Sequence, residues 1–193
     1  CDVDVYYVDS EFVKRVHRIS KEDHPCLYET YCVNPANIME GFFDSRLWPV
    51  EKQREYDWGS IQENFQMTVE DLYRFGNRPT VLAEGLFPPE RVSEVSPKAN
   101  IICIVVTDDF YHQLLRERIR KNEKEWFYAR RAEWRRAHPN DADRMAKNET
   151  DGWLWSRDQI VKEAEKVGIR VIHNDGSRTI DELTRMVREH FHL

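Results

Sequence analysis

Three short apolar runs constrain this chain most: VYYVDSEF (residues 5–12), TVLAEGLF (80–87) and NIICIVVTD (100–108). Each is rich in Val or other strand-favouring residues, and the first two carry an acid at or near the end of the run, Asp9 and Glu84. An unbroken run of this kind is the pattern of a strand covered on both faces, whereas a strand with one wet face alternates apolar and polar residues. In DVDVYYV (2–8), Val3, Val5 and Tyr7 fall on one face and Tyr6 and Val8 on the other. IRVIHND (169–175) reads as a further strand.

Helical patterns lie between the runs. Ile61, Phe65, Val69, Leu72 and Phe75 recur at helical spacing, and GNRP (76–79) supplies the glycine and proline that end such an element. Ser10 is placed to cap a helix through about Val16 or Ile19. A long charged stretch after Thr107 carries Tyr111, Leu114, Leu115 and Ile119, then Trp126, Phe127 and Trp134, before the breakers of AHPNDADRMAKNETDG. SRDQIVKEAEKVG predicts a helix stopped at Gly168, and GSRTIDELTRMVREHF a last helix with Ile180, Leu183, Val187 and Phe191 on its apolar face. Strands alternating with helices predict an α/β fold of three layers, α/β/α, with a mostly parallel sheet in a single domain over 1–193.

In open parallel sheets ligands bind outside the carboxyl ends of the strands, and Asp9 and Glu84 both stand at such ends. A helix cap at Asp9 and a salt bridge at Glu84 are the plainer alternatives. NPANIMEGFFDSRLWPVEK mixes breakers with aromatics, so residues 34–58, with Arg46 and Trp48, read as a substrate-binding segment.

Composition narrows the class. Of 193 residues, 40% are hydrophobic and 33% charged, as in globular proteins. The net charge of −6 weighs against a general nucleic-acid coat, although residues 116–136 are locally basic. Four cysteines in a chain this long make no disulfide framework, and Cys26 and Cys32 match no strong zinc spacing. No run is long and apolar enough to span a bilayer and no signal-peptide pattern opens the chain, so the expectation is a cytoplasmic protein without a membrane partner.

The blocks VYYVDSEF, PTVLAEGLFPPERV, NIICIVVTDDFYHQLLRER and WSRDQIVKEAEKVGIRVIHNDGSRTIDELTRMV together resemble the P-loop kinases of small molecules, in the nucleoside-monophosphate, shikimate and chloramphenicol phosphotransferase-like group. The resemblance implies P-loop NTPase architecture and transfer of a phosphoryl group from ATP, with Mg2+, to a nucleoside, nucleotide or related metabolite. It places Asp9 at the acceptor hydroxyl, and Glu84 and Gly85 near the magnesium or acceptor. Residues 116–157 become a lid whose Arg116 or Arg118 on one side and Arg157 on the other hold the phosphoryl group. Asp175, Gly176 and Ser177 form the turn beside the adenine, and Arg15 joins Arg46 and Trp48 in acceptor binding. The residue types suit the reaction, since phosphoryl transfer is chiefly positioning and charge stabilisation by acids and arginine forks.

One element departs from the family. None of the seven glycines is followed by lysine, so G-x-x-x-x-G-K-[ST], which cradles the phosphates, does not occur. In the family that motif lies on a central strand just before the segment like CDVDVYYVDS. With Cys1 in place of Met, the expectation is that about 25–35 residues, one strand-loop-helix, precede residue 1. A non-catalytic nucleotide-binding or interaction module is the alternative. Histidines are scattered, with His24 expected as an exposed loop residue and His190 in a fraying end. The mixture EKEWFYARRAEWRR, ending at Arg136, is read as a lid helix with its aromatics inward, ahead of stacking on nucleic acid; exposed tryptophans would equally serve a homodimer surface.

Overall fold

A computed structural model of the chain describes residues 4–7, 14, 16–32, 38–74, 81–121 and 126–192, with side chains described except at 4–7, 38, 81, 82, 118–121 and 126. The described elements are β1 (Asp4–Tyr7), α1 (Pro25–Leu27), α2 (Ile38–Ser45), α3 (Val50–Arg74), β2 (Val81–Glu84), α4 (Pro89–Val95), β3 (Ile102–Val106), α5 (Asp108–Lys121), α6 (Trp126–Ala137), α7 (Ala142–Val167), β4 (Arg170–Asn174) and α8 (Ile180–Phe191). Short 3-10 turns lie at Val16–Arg18 and Lys98–Asn100, and α1 runs on into a π-helical turn, Tyr28–Cys32.

The three-layer expectation is overturned. Helix dominates, and the described strands form two separate two-stranded sheets, β1 with β2 and β3 with β4. Both pairs are parallel, as expected, with Tyr7 opposite Glu84 and Val106 opposite Asn174. The strands are only four or five residues long, while segments read as loop or lid are helix: α3 begins at Val50 and runs 25 residues, and α7 runs 26. Their charged residues lie at spacings that helix accommodates well, so the breaker-rich reading of residues 137–152 gave too much weight to Asn and Asp. Nor is β3 covered on both faces, since Ile104 is 45% exposed.

The chain divides into two compact units, residues 1–88 with 138–152, and residues 89–137 with 153–193. In the first, Ile19, Leu27 and Met67 form a buried cluster against which Val16, Tyr28, Tyr31 and Cys32 pack. Phe65, expected on the buried face of its helix, is buried, and its ring meets Phe87 edge-on at 5.7 Å. Arg18 pairs with Glu70 at 2.8 Å and Asp71 at 2.5 Å, tying the 3-10 turn to the end of α3. The Asp71 hydrogen bond is the main reason the Arg18 pKa is raised. The first turn of α1 is capped from a distance. His24 at its N-cap makes no capping bond, and the Glu63 carboxylate on α3 instead accepts from the backbone N–H groups of Cys26 (3.0 Å) and Leu27 (2.8 Å). Placed beside that carboxylate and half-buried, the Cys26 thiol is pushed up to about 12, first by burial and then by Glu63.

In the second unit Val105, Trp134, Ile160, Ala164, Ile169 and Ile172 are buried. Gly168, at φ 73°, turns the chain from α7 into β4 as the sequence predicts. Thr179 caps α8 through a full capping box with Glu182. His190 does not fray: its Nε2 lies 2.8 Å from the Ile101 carbonyl. No described helix is long and apolar enough to cross a membrane.

A thiol held neutral by the fold costs the folded state nothing while the unfolded thiol is also protonated, and weakens the fold once the unfolded thiol ionises. The Cys26 contribution is therefore intact below about pH 8.5, the ordinary thiol value, and is lost as pH rises towards 12. The urea midpoint should fall between pH 8 and pH 10.5, and Cys26→Ala should remove part of that fall.

Candidate functional site

The second unit brings several expected residues to one end of a sheet. Because β3 and β4 are parallel, their carboxyl ends coincide, and the Thr107 N–H donates to the Asn174 carbonyl at 3.0 Å to close that edge. From here α5 departs at Asp108, and the turn 175–179 leads into α8. Arg157, from α7, reaches the same place. Its Nη1 donates to the Val106 carbonyl (3.0 Å) and to Asp108 (2.6 Å), while Nε and Nη2 hold Asp158 at 3.0 and 2.6 Å. The Arg157 side chain is only 12% exposed, against 64% for Asp108 and 53% for Asp158. Burial works against its charge, and the two carboxylates outweigh burial, so its pKa is raised and the group stays cationic. Tyr111 of α5 stacks on Trp153 of α7 at 4.1 Å and 8°, which fixes the two helices one turn on from the Arg157–Asp108 pair.

The turn after β4 is built by its own side chains. Asn174 Oδ1 accepts from the Gly176 N–H at 3.1 Å, and Asp175 Oδ1 accepts from the Ser177 N–H and hydroxyl at 3.0 and 2.6 Å. The Ser177 hydroxyl, then its N–H, lowers the Asp175 pKa. Gly176 sits at φ 85°, and a Cβ there would fall 2.6 Å from the Phe110 ring, so only glycine suits both backbone and neighbour. Asp175, Gly176 and Ser177 are all exposed.

Other expected residues stand elsewhere. Arg116 is exposed on α5; Arg118 lies on α5, its side chain outside the described set. Asp9 and Arg15 lie outside the described residues. Glu84 and Gly85 are exposed in the first unit at the carboxyl end of β2. Trp48, half-buried in the same unit, stands just before α3.

Arg46 is the clearest correction among the expected contacts to an acceptor. It is 4% exposed and spends its guanidinium on Asp57, at 2.9 and 2.5 Å, and on the Ser45 hydroxyl. Its carbonyl accepts from Gln53 at 3.0 Å and Asn148 at 2.7 Å. Burial opposes the charge and Asp57 overcomes it, so the Arg46 pKa is raised. The residue is thus part of the framework. His24 also differs: it is buried, and neither ring nitrogen has a hydrogen-bond partner among the described residues. No group of three His, Cys, Asp or Glu that could hold a metal ion occurs among the described residues.

Sequence reasoning missed Asp108, Asp158 and Phe110 as neighbours of Arg157 and the turn. The acid ending NIICIVVTDD carries the same signal as Asp9 and Glu84 and would have found Asp108. Compared with protein-family models, curated proteins and solved structures, the chain matches none.

Two substitutions check this geometry. Asp57→Ala leaves a buried guanidinium uncompensated and should destabilise the first unit by about 3–5 kcal/mol in urea unfolding. Gly176→Ala should lower stability by about 1–3 kcal/mol, and adding Phe110→Ala should restore only the part due to the ring, leaving the cost of positive φ.

Proposed function

We propose that this protein serves ATP-dependent phosphoryl transfer to a small molecule such as a nucleoside, nucleotide or related metabolite. The observation that supports the reading best is the guanidinium of Arg157, held at the shared carboxyl end of two parallel strands beside the exposed turn Asp175–Ser177. In this proposal Arg157 holds the transferring group. A phosphoryl oxygen replaces the Asp108 carboxylate on Nη1, an exchange of one anion for another that keeps the cation paired. Arg116 and Arg118, further along α5, are the other arginines of this proposal.

The Asp175–Ser177 turn takes the place beside the base. Its Gly176 and Ser177 N–H groups are already bound by Asn174 and Asp175, which suits contact with a neutral ring better than a phosphate cradle. The resemblance assigns Asp9 to the acceptor, and Trp48 belongs to the segment read from its sequence as acceptor-binding. Magnesium takes one or two carboxylates together with phosphate oxygens and water, and the exposed Glu84 is a carboxylate of that kind. When bound, the ion supplies charge neutralisation on the phosphates.

A second reading, a nucleotide-binding or interaction module without catalysis, is favoured by one fact: all three guanidinium nitrogens of Arg157 already have partners.

Transfer of labelled phosphate from ATP to a panel of nucleosides and nucleotides tests both. Arg157→Ala should cut turnover about 10²–10³-fold, and Arg157→Lys should recover only part, while circular dichroism stays unchanged. Full turnover in folded Arg157→Ala, or turnover indifferent to a magnesium chelator, would sink the kinase reading. ATP binding without any transfer would favour the module.

A further inference from the structure

The first unit contains an aromatic corner that already holds a cation. The rings of Trp48 and Tyr56 stand 5.2 Å apart between centroids at 74°, nearly perpendicular walls. The Lys52 ammonium lies 3.7 Å from the Trp48 centroid and 5.2 Å from that of Tyr56. Lys52 has Glu51 and Glu55 as close neighbours in sequence, yet among the described residues it forms no ion pair, and its ammonium rests on the rings. The ammonium thus sits on the ring faces, which carry negative charge density, and on neither neighbouring carboxylate.

The corner is held without help from Lys52. The Trp48 N–H donates to the Ser45 carbonyl at 3.2 Å, and the Trp48 carbonyl accepts from Gln53 at 2.6 Å. Gln53 is itself buried and also donates to the carbonyl of Arg46, the framework residue described above. Tyr56 is fixed on α3 one turn beyond Lys52. Glu29 and Glu55 act electrostatically on Tyr56, partly offset by Lys21, which pairs with Glu29 at 3.4 Å.

We propose that the Trp48–Tyr56 corner is a binding site for the alkylated ammonium group of a small molecule, with Lys52 as a resident competitor that swings out when the ligand enters. A primary ammonium is strongly hydrated and regains that hydration on leaving. An alkylated ammonium is poorly hydrated, loses less on entering, and meets the same ring faces. The exchange gives up the contact of Lys52 with the rings and needs no more than a change of rotamer on a flexible four-carbon stem. The site does not depend on the phosphoryl-transfer reading, because binding is measured without ATP.

Ligand-observed NMR on the full chain with tetramethylammonium chloride, against sodium chloride at equal ionic strength, tests it. Saturable transfer to the methyl signal is expected. Lys52→Met should tighten binding about tenfold by removing the competitor, and Trp48→Leu and Tyr56→Leu should each weaken it about tenfold or more. Should Trp48→Leu fail to fold, Tyr56→Leu and Lys52→Met carry the comparison. No saturable binding to either wild type or Lys52→Met overturns the proposal, as does binding that ignores both ring substitutions in folded protein.

Discussion

The first unit is organised around a buried charge. A guanidinium out of water is costly unless it is paired and its remaining donors are used, and Arg46 meets both conditions through Asp57 and Ser45. The backbone follows the side chain. With Arg46 anchored, its carbonyl becomes a fixed acceptor on which Gln53 of α3 and Asn148 of α7 converge. Gly152 gives the pair room, since a Cβ there would lie 2.9 Å from Asp57 Oδ2. The end of α2, the start of α3 and the first part of α7 are therefore joined by polar contacts of fixed geometry. The apolar cluster of Ile19, Leu27 and Met67 adds burial but little direction. The aromatic corner inherits its rigidity from the same clamp through Gln53.

In the second unit the corresponding constraint is the parallel pairing of β3 with β4. A parallel pair brings two strand ends and the turns that follow them to one side. Arg157 is drawn there because the Val106 carbonyl and two carboxylates offer a place where a half-buried cation can be fully paired. Under the proposed reading, the groups that pair Arg157 in the fold are the ones a phosphoryl oxygen would exchange with.

Several features were legible from residues alone. The four strands, their parallel sense, the helix stop at Gly168 and the last helix with Ile180 on its apolar face all follow from local signals: β-branched runs, helical spacing and a glycine. That Asp175–Ser177 follows the last strand was legible for the same reason, whereas Arg157, on a helix, was named only through the resemblance. Sheet size was not legible. A short apolar run states that it can be a strand, but the number of neighbours depends on pairing across the chain, and β3, with Ile104 exposed, lacks the two-sided cover its composition suggested. The fate of Arg46 was equally hidden, since a solvent-facing arginine and a buried one look alike until Asp57 is known to face it.

By itself the sequence determined where helix and strand can form, that strands of one direction would place acids at their carboxyl ends, and that no lysine-bearing phosphate loop occurs within these residues. These are properties of short windows, governed by backbone propensity and side-chain periodicity. Only tertiary structure decided that the described strands pair two by two, that Glu63 caps α1 from across the unit, that Arg46 is framework while Arg157 stands at a strand end, and that Lys52 rests on Trp48 and Tyr56. Each of these depends on the desolvation and pairing of particular groups. Those energies are set by which distant residue arrives, and no local window contains that information.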